Sequence, residues 1–132
     1  MSPLFADTSF YVALVEPRDA LHPKAVQASA AAVPIVTTEY VLLELANFLS
    51  RGRARQAYLD LVAALRSSAS VVIIPSSAEL FDRGSLLFAD RPDKEWSLTD
   101  CISFVVMQAQ GVTQALTGDH HFEQAGFTAL LK

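Results

Sequence analysis

Short apolar runs alternate along the chain with longer segments in which apolar residues recur every three or four positions. Apolar runs bounded by turn residues predict β-strands, and they cover residues 3–6, 33–36, 71–74 and 114–116, with a final edge strand within 127–131. The run at 71–74 is apolar throughout, so we expect that strand to be buried on both faces, as in a parallel sheet. The alternation predicts an α/β fold, a three-layer α/β/α sandwich with a central, mostly parallel sheet of four to five short strands.

The periodic segments predict the helices. They lie at residues 9–15, 21–32, 38–49, 56–66, 75–88, 97–110 and from 120 onward. The helix that begins at Ser97 is apolar on nearly every side, which predicts that it is the most interior one. The helix over 38–49 is amphipathic, and its predicted apolar stripe comprises Val41, Leu42, Leu45, Phe48 and Leu49.

The helices over 38–49 and 56–66 are expected to form an αα-hairpin, the natural candidate for a partner-binding surface. Their connection carries Arg51, Arg53 and Arg55. These arginines form either an ordinary solvated loop or a basic patch.

The composition fits one domain over residues 1–132, which is enough chain to bury a single core. No apolar run approaches the ~18 residues that a membrane-spanning helix needs, and no secretory signal opens the chain. The single cysteine, Cys101, excludes an internal disulfide and fits a reducing compartment, so we expect a cytoplasmic protein. The hydrophobic share of 52% suggests that a second copy or another protein covers part of the surface.

The net charge of −4 argues at first against a nucleic-acid-binding protein, because phosphate contacts usually come from surplus lysine and arginine. The argument fails if several carboxylates converge on divalent cations, since the ions then reverse the charge of the site.

Four acidic residues occupy positions that could bring them together. Asp7 and Asp119 each follow a predicted strand, and the carboxyl ends of parallel strands are where α/β proteins build their sites. Glu44 lies at the edge of an apolar helix stripe, and Asp100 lies in the first turn of the interior helix. Each has a structural alternative: the aspartates suit helix N-termini, Asp100 in a capping box, and Glu44 could form a salt bridge with an arginine.

Together the four acids predict a metal site. Carboxylates packed closely repel one another unless cations lie between them, and all-oxygen ligands favour Mg²⁺ or Mn²⁺. No Cys/His spacing typical of zinc is present. Carboxylate-bound Mg²⁺ commonly serves phosphodiester hydrolysis.

Four segments resemble the signature blocks of PIN-domain ribonucleases, specifically the VapC-type toxins of prokaryotic toxin–antitoxin pairs. They are LFADTSFYVALV, TTEYVLLELANFL, WSLTDCISFVVM and ALTGDHHFEQAGF, which span nearly the whole chain in the family's order. The resemblance implies a Mg²⁺-dependent (or Mn²⁺-dependent) endoribonuclease acting on RNA, a homodimer, and a cognate antitoxin that inhibits by inserting into the site. It assigns metal binding to Asp7, Glu44, Asp100 and Asp119, and supporting hydroxyl groups to Thr8, Ser9 and Thr117.

His121 also matches a family position, and we expect it to pack or to hydrogen-bond structurally. Two other readings stay open at this point. One is a catalytically inactive PIN-like module for binding or assembly, in which the acids are only helix caps. The other, a receiver-type phosphoacceptor centred on Asp7, is weaker because Leu4, Phe5 and Ala6 do not supply the acidic pair that it requires.

Overall fold

The computed structural model describes residues 2–132. The strands are β1 (Leu4–Ala6), β2 (Ile35–Thr38), β3 (Val71–Ile74), β4 (Gln114–Leu116) and β5 (Thr128–Ala129). The helices are α1 (Thr8–Val15), α2 (His22–Ala30), α3 (Glu39–Phe48), α4 (Arg53–Ser67), α5 (Ala78–Asp90), α6 (Leu98–Gln110) and α7 (His120–Gln124). None of the helices within residues 2–132 has the length and apolar character that crossing a membrane requires.

The strands form one five-stranded sheet in the order β3-β2-β1-β4-β5, and every pairing is parallel. β1 is central, and Phe5 is in register with Val36 on one side and with Ala115 on the other. The chain first builds outward from β1 through β2 to β3 and then crosses to β4. Strand order therefore reverses between β1 and β4, where open α/β sheets leave a crevice for a ligand.

Helices cover both faces of the sheet, as the predicted α/β/α sandwich requires. On one face α1, α2 and α4 enclose a cavity together with Ile35 and Val71 of the sheet. On the other face Phe122 of α7 lies against Phe5 of β1 and, at 4.9 Å between ring centroids, against Phe104 of α6. α6 is buried over Asp100–Met107, which confirms its predicted interior position.

Several details differ from the sequence predictions. The fourth helix begins at Arg53 instead of residue 56, so Arg53 and Arg55 lie in its first turn and not in the connection before it. The second strand covers Ile35–Thr38 instead of 33–36, because its two β-branched threonines extend the ladder. β3 is not buried on both faces: it is an edge strand with one neighbour, and Val72 is 53% exposed. Phe48 does not join the buried stripe of α3, whose other predicted members are buried, and it is 69% exposed.

Glycine is required where α5 crosses α6. Gly84 of α5 is buried, and a Cβ atom placed on it would collide with the side chain of Ile102 and press on its backbone. The two helices therefore approach more closely than any other residue at position 84 would permit.

Candidate active site

Asp7 leaves the sheet at the end of β1 and is almost completely buried, with 4% of its surface exposed. It occupies the N-cap position of α1, yet its side chain makes no capping hydrogen bond. Instead its Oδ2 accepts hydrogen bonds from Thr117 Oγ1 at 2.8 Å and from Ser9 Oγ at 3.2 Å. Capping therefore does not explain this carboxylate.

Thr117 joins the acids at the ends of β1 and β4. Besides donating to Asp7, its Oγ1 accepts a hydrogen bond from the backbone N–H of Asp119 at 3.0 Å. The same oxygen lies 3.0 Å from Ser9 Oγ. Thr8, the third hydroxyl residue named from the sequence, behaves differently: its Oγ1 is buried and has no hydrogen-bond partner within residues 2–132.

Asp100 caps its helix and also faces the other acids. The capping box predicted from the sequence is present, because Ser97 Oγ accepts from the Asp100 N–H while Asp100 Oδ2 accepts from the Ser97 N–H. The same Oδ2 lies 3.1 Å from His121 Nδ1.

Asp119 likewise caps α7, since its Oδ1 accepts from the His121 N–H at 2.9 Å. The His121 ring bridges two acids, with Nδ1 3.1 Å from Asp100 Oδ2 and 3.4 Å from Asp119 Oδ1. The His121 side chain does form a hydrogen bond, as we expected, but its partner, Asp100, is an acid of this cluster. Asp119, His120 and His121 can also place one potential ligand atom each within 4.8 Å of one another.

Glu44 enters the same region from α3 and is half-buried. The alternative reading gave it an arginine partner, but within residues 2–132 it forms no ion pair and no side-chain hydrogen bond. The Glu44 carboxylate therefore faces the cavity with its oxygens available to bind a cation.

One cavity of about 580 Å³ brings all four predicted acids together. Two further acids that the sequence reasoning missed, Asp19 and Glu95, line it as well. Thr8, Ser9, Ser97 and His121 are also in its wall, as are the apolar residues Val12, Leu21 and Phe48. Within the described chain no lysine or arginine lines this cavity, so six carboxylates share it without a permanent cation.

The electrostatics show the cost of this arrangement. Burial raises the pKa of Asp7 to about 7, repulsion from Asp100 and Glu44 adds to the increase, and the hydrogen bond from Thr117 opposes it. Burial likewise raises the pKa of Asp100, with repulsion from Asp119 adding to it and the Ser97 N–H and His121 opposing it. A divalent cation would remove this penalty, and the carboxylates of the four acids together with the unpartnered Thr8 Oγ1 offer the oxygen ligands that a hard ion prefers.

Cys101 lies next to Asp100 but is no candidate nucleophile. It is buried, and burial raises the pKa of its thiol, whereas a reactive cysteine needs a lowered pKa and access to solvent. It is a small core residue, as its position in an apolar helix predicted.

Comparison with known proteins gives consistent results. The family model described as PIN domain matches residues 4–128. The 23S rRNA-specific endonuclease VapC20 of Mycobacterium tuberculosis is 34% identical over 125 residues, which cover 94% of this chain and 95% of that protein. Its crystal structure, described as that of a sarcin-ricin loop cleaving toxin, superimposes with a TM-score of 0.84 at 31% identity, covering 95% of this chain and 96% of that one.

More distant structures share the fold. VapBC2 from Rickettsia felis, solved with a DNA fragment from its promoter, matches with a TM-score of 0.67 at 15% identity and covers 96% of both chains. FitAcB from Neisseria gonorrhoeae matches with a TM-score of 0.61 at 16% identity, covering 96% of this chain and 95% of that one. The family assignment removes the receiver-type reading of Asp7. The chain belongs to the PIN-domain family, and within it the chain resembles the VapC-type toxins.

Proposed function

We propose that this protein is a divalent-metal-dependent endoribonuclease that hydrolyses RNA phosphodiester bonds as the toxin of a VapBC-type toxin–antitoxin pair. The observation that carries the proposal is the convergence of Asp7, Glu44, Asp100 and Asp119 on one cavity that no lysine or arginine of residues 2–132 lines. The likeness to a 23S rRNA-specific endonuclease over nearly the whole chain supports the same activity.

In this proposal the four acids hold Mg²⁺, and Mn²⁺ can take its place. PIN nucleases generally depend on divalent metal ions, and oxygen-only ligands prefer these two. Asp119 has a double role, because its Oδ1 caps α7 while it faces His121. When bound, the metal supplies Lewis-acid chemistry, which activates water and neutralises charge on the leaving oxygen.

The chain's own residues prepare the site for that chemistry. Thr117 and Ser9 fix the orientation of the Asp7 carboxylate through their hydroxyl groups. The capping box fixes Asp100 at the start of a rigid, buried helix. Residues that hold a ligand in one orientation lower the cost of binding a metal, which is why such contacts matter for activity.

The proposal extends to partners and location. We infer a cytoplasmic, single-domain protein that forms a homodimer and binds a cognate antitoxin whose insertion into the cavity blocks it. The ribosomal substrate of the similar mycobacterial endonuclease makes 23S rRNA the first RNA to test.

A second candidate is a PIN-like module that binds or assembles without catalysis. It is favoured by one observation: Asp100 and Asp119 both cap helices, so their presence has a structural explanation. Asp7 and Glu44 cap nothing, which is why we place this candidate second.

The Asp100→Asn variant separates the two candidates. Asparagine can still cap a helix, so the fold should persist while cleavage falls at least about 100-fold through loss of a metal ligand. Purified protein is incubated with total RNA and with 23S rRNA in Mg²⁺, Mn²⁺ or EDTA, and the new 5′ ends are mapped. Asp60→Asn, on the exposed face of α4, is the matched control.

We expect the parent and the Asp60→Asn protein to cut with a divalent metal and to be inactive in EDTA. Full cleavage by a folded Asp100→Asn variant would reject the assignment of the site. Absence of any cleavage by the parent in Mn²⁺ would favour the non-catalytic module.

A further inference from the structure

The cavity cannot hold the RNA backbone by itself. Among the residues that the structure describes, six carboxylates and no lysine or arginine line it, so it repels phosphate groups other than those that bound metal ions attract. These six are drawn from fourteen acids in the chain, which leaves eight acids against ten basic residues elsewhere. Cations that hold RNA must therefore lie outside the cavity, close to its edge.

An exposed aromatic ring lies at that edge. Phe48 is four residues after Glu44 on α3, so both side chains lie on the same face of the helix, and both line the cavity. The ring is 69% exposed, more than any other large apolar side chain of residues 2–132. What sets this ring apart from the other exposed aromatic side chains is its position, because it borders the cavity that holds the acids.

A cluster of arginines follows directly in the chain. Arg51, Arg53 and Arg55 occupy the turn between α3 and α4 and the first turn of α4, beginning three residues after Phe48. All three are exposed, and in the part of the chain that the structure describes none forms a salt bridge. Arg55 donates one hydrogen bond to the Ser50 carbonyl, which leaves its other donors available.

We propose that Phe48, Arg51, Arg53 and Arg55 form a rim that holds single-stranded RNA next to the cavity, with an unpaired base stacked on Phe48 and phosphates bound by the arginines. The inference rests on the proposed function and names the surface that positions its substrate. Every base has a face that can stack on an aromatic ring, and only an unpaired base can present it. Arginine binds phosphate oxygens through paired N–H donors.

The charge of the rim favours RNA over a protein segment. Three cations within five residues and no acidic partner suit a polyanion, whereas an apolar or basic peptide would gain nothing from them. Docking of a protein, including a second copy of this chain, is therefore the alternative that the test has to separate.

The stacking contact is tested with two labelled probes, a 12-nucleotide oligouridine and a strand of the same length without bases. Binding is measured by fluorescence anisotropy in Mg²⁺ on the Asp100→Asn background, which leaves the probe uncut. Phe48→Ala should weaken oligouridine binding roughly 5- to 100-fold and change binding of the abasic strand by less than about twofold. Phe48→Tyr should bind oligouridine as tightly as the Asp100→Asn background does, and Phe48→Leu should bind it as weakly as Phe48→Ala does. Phe88→Ala on α5, also exposed, is the control.

The arginines are tested by the salt dependence of the same binding. Each phosphate contact on a single strand contributes about 0.7 to the slope of log affinity against log salt. Replacing Arg51, Arg53 and Arg55 together by glutamine should lower that slope by about 2 for both probes, whereas Phe48→Ala should leave it unchanged. Arg83→Gln, which removes an exposed charge on α5, should leave it unchanged as well.

The outcomes separate the rim from the proposed function. Cleavage by the parent together with unaltered binding in the Phe48 and arginine variants would overturn the rim alone. Rim-dependent binding by a parent that cuts no RNA would support the rim and reject the nuclease. Sedimentation can also show whether Phe48→Ala changes the oligomeric state or removes a protein partner. If it does, and if the variant still binds both probes like its background, the rim is a protein interface and the proposal is overturned.

Discussion

Replacing Asp7 by asparagine should stabilise the metal-free protein at neutral and higher pH. Burial raises the pKa of Asp7 from 3.8 to about 7 in the folded chain. Between these two values the folded state keeps a proton that the unfolded chain has released, so the free energy of unfolding falls as the pH rises through this window and stays lower above it. Below about pH 4 the residue is protonated in both states and contributes no difference.

The magnitude follows from the size of the shift. About three pKa units correspond to an upper limit of about 4 kcal/mol. Asparagine does not ionise, and its carbonyl oxygen can still accept the hydrogen bond from Thr117. Allowing for imperfect replacement of the second oxygen, we expect Asp7→Asn to raise the free energy of unfolding by about 1–3 kcal/mol at pH 8, and by about zero near pH 4.

The assay is urea unfolding of parent and variant in EDTA at several pH values between 4 and 8, followed by circular dichroism. In the same series with Mn²⁺ the parent should be more stable than Asp7→Asn, because the ion stabilises only a folded state that binds it. Asp93→Asn is the control, since Asp93 is exposed and its hydrogen bonds from Arg91 lower the pKa of the carboxyl instead of raising it. An Asp7→Asn protein less stable than the parent at pH 8 in EDTA would refute the reasoning.

Two further predictions concern packing and orientation. Thr117→Val should keep the fold but reduce metal-dependent cleavage about 10- to 100-fold, because Asp7 loses its shortest hydrogen bond. Thr117→Ser keeps the hydroxyl group and should cleave like the parent. A single-turnover assay measures the cleavage rate of both variants. Gly84→Ala should lower the free energy of unfolding by about 1–3 kcal/mol, since its Cβ meets Ile102 across two packed helices. Gly118→Ala should lower the free energy of unfolding by a smaller amount, because its Cβ meets only the flexible end of Leu21. A smaller loss of stability from Gly84→Ala than from Gly118→Ala would contradict this account.

The features that the sequence predicted best depend on local chemistry. The capping box at Ser97 and Asp100 needs only residues three apart, and Gly111 ends the following helix in the left-handed conformation that glycine adopts readily. The acids at the ends of β1 and β4 were found because a strand followed directly by an acid and a helix is a local pattern, and parallel pairing brings such ends together.

The features that the sequence missed depend on how distant segments meet. Asp19 and Glu95 lie in loops, and nothing near them in the sequence says that both loops border one cavity. Helix periodicity places Phe48 with the buried stripe of α3, but it does not show that no neighbouring element within residues 2–132 covers this one side chain. The sequence predicted a hydrogen bond for His121 but not its partner, because Asp100 belongs to another helix.

The hydrogen bond between Thr117 and Asp7 joins residues 110 positions apart. The central strand β1 likewise obtains its second neighbour only when β4 has been made. A chain still being translated therefore lacks the contact that orients Asp7 until Thr117 has been made, and the pairing of β1 with β4 joins segments far apart in the sequence. For a nuclease whose proposed substrate surrounds it during synthesis, this order of assembly delays activity until β4 and Thr117 have been made.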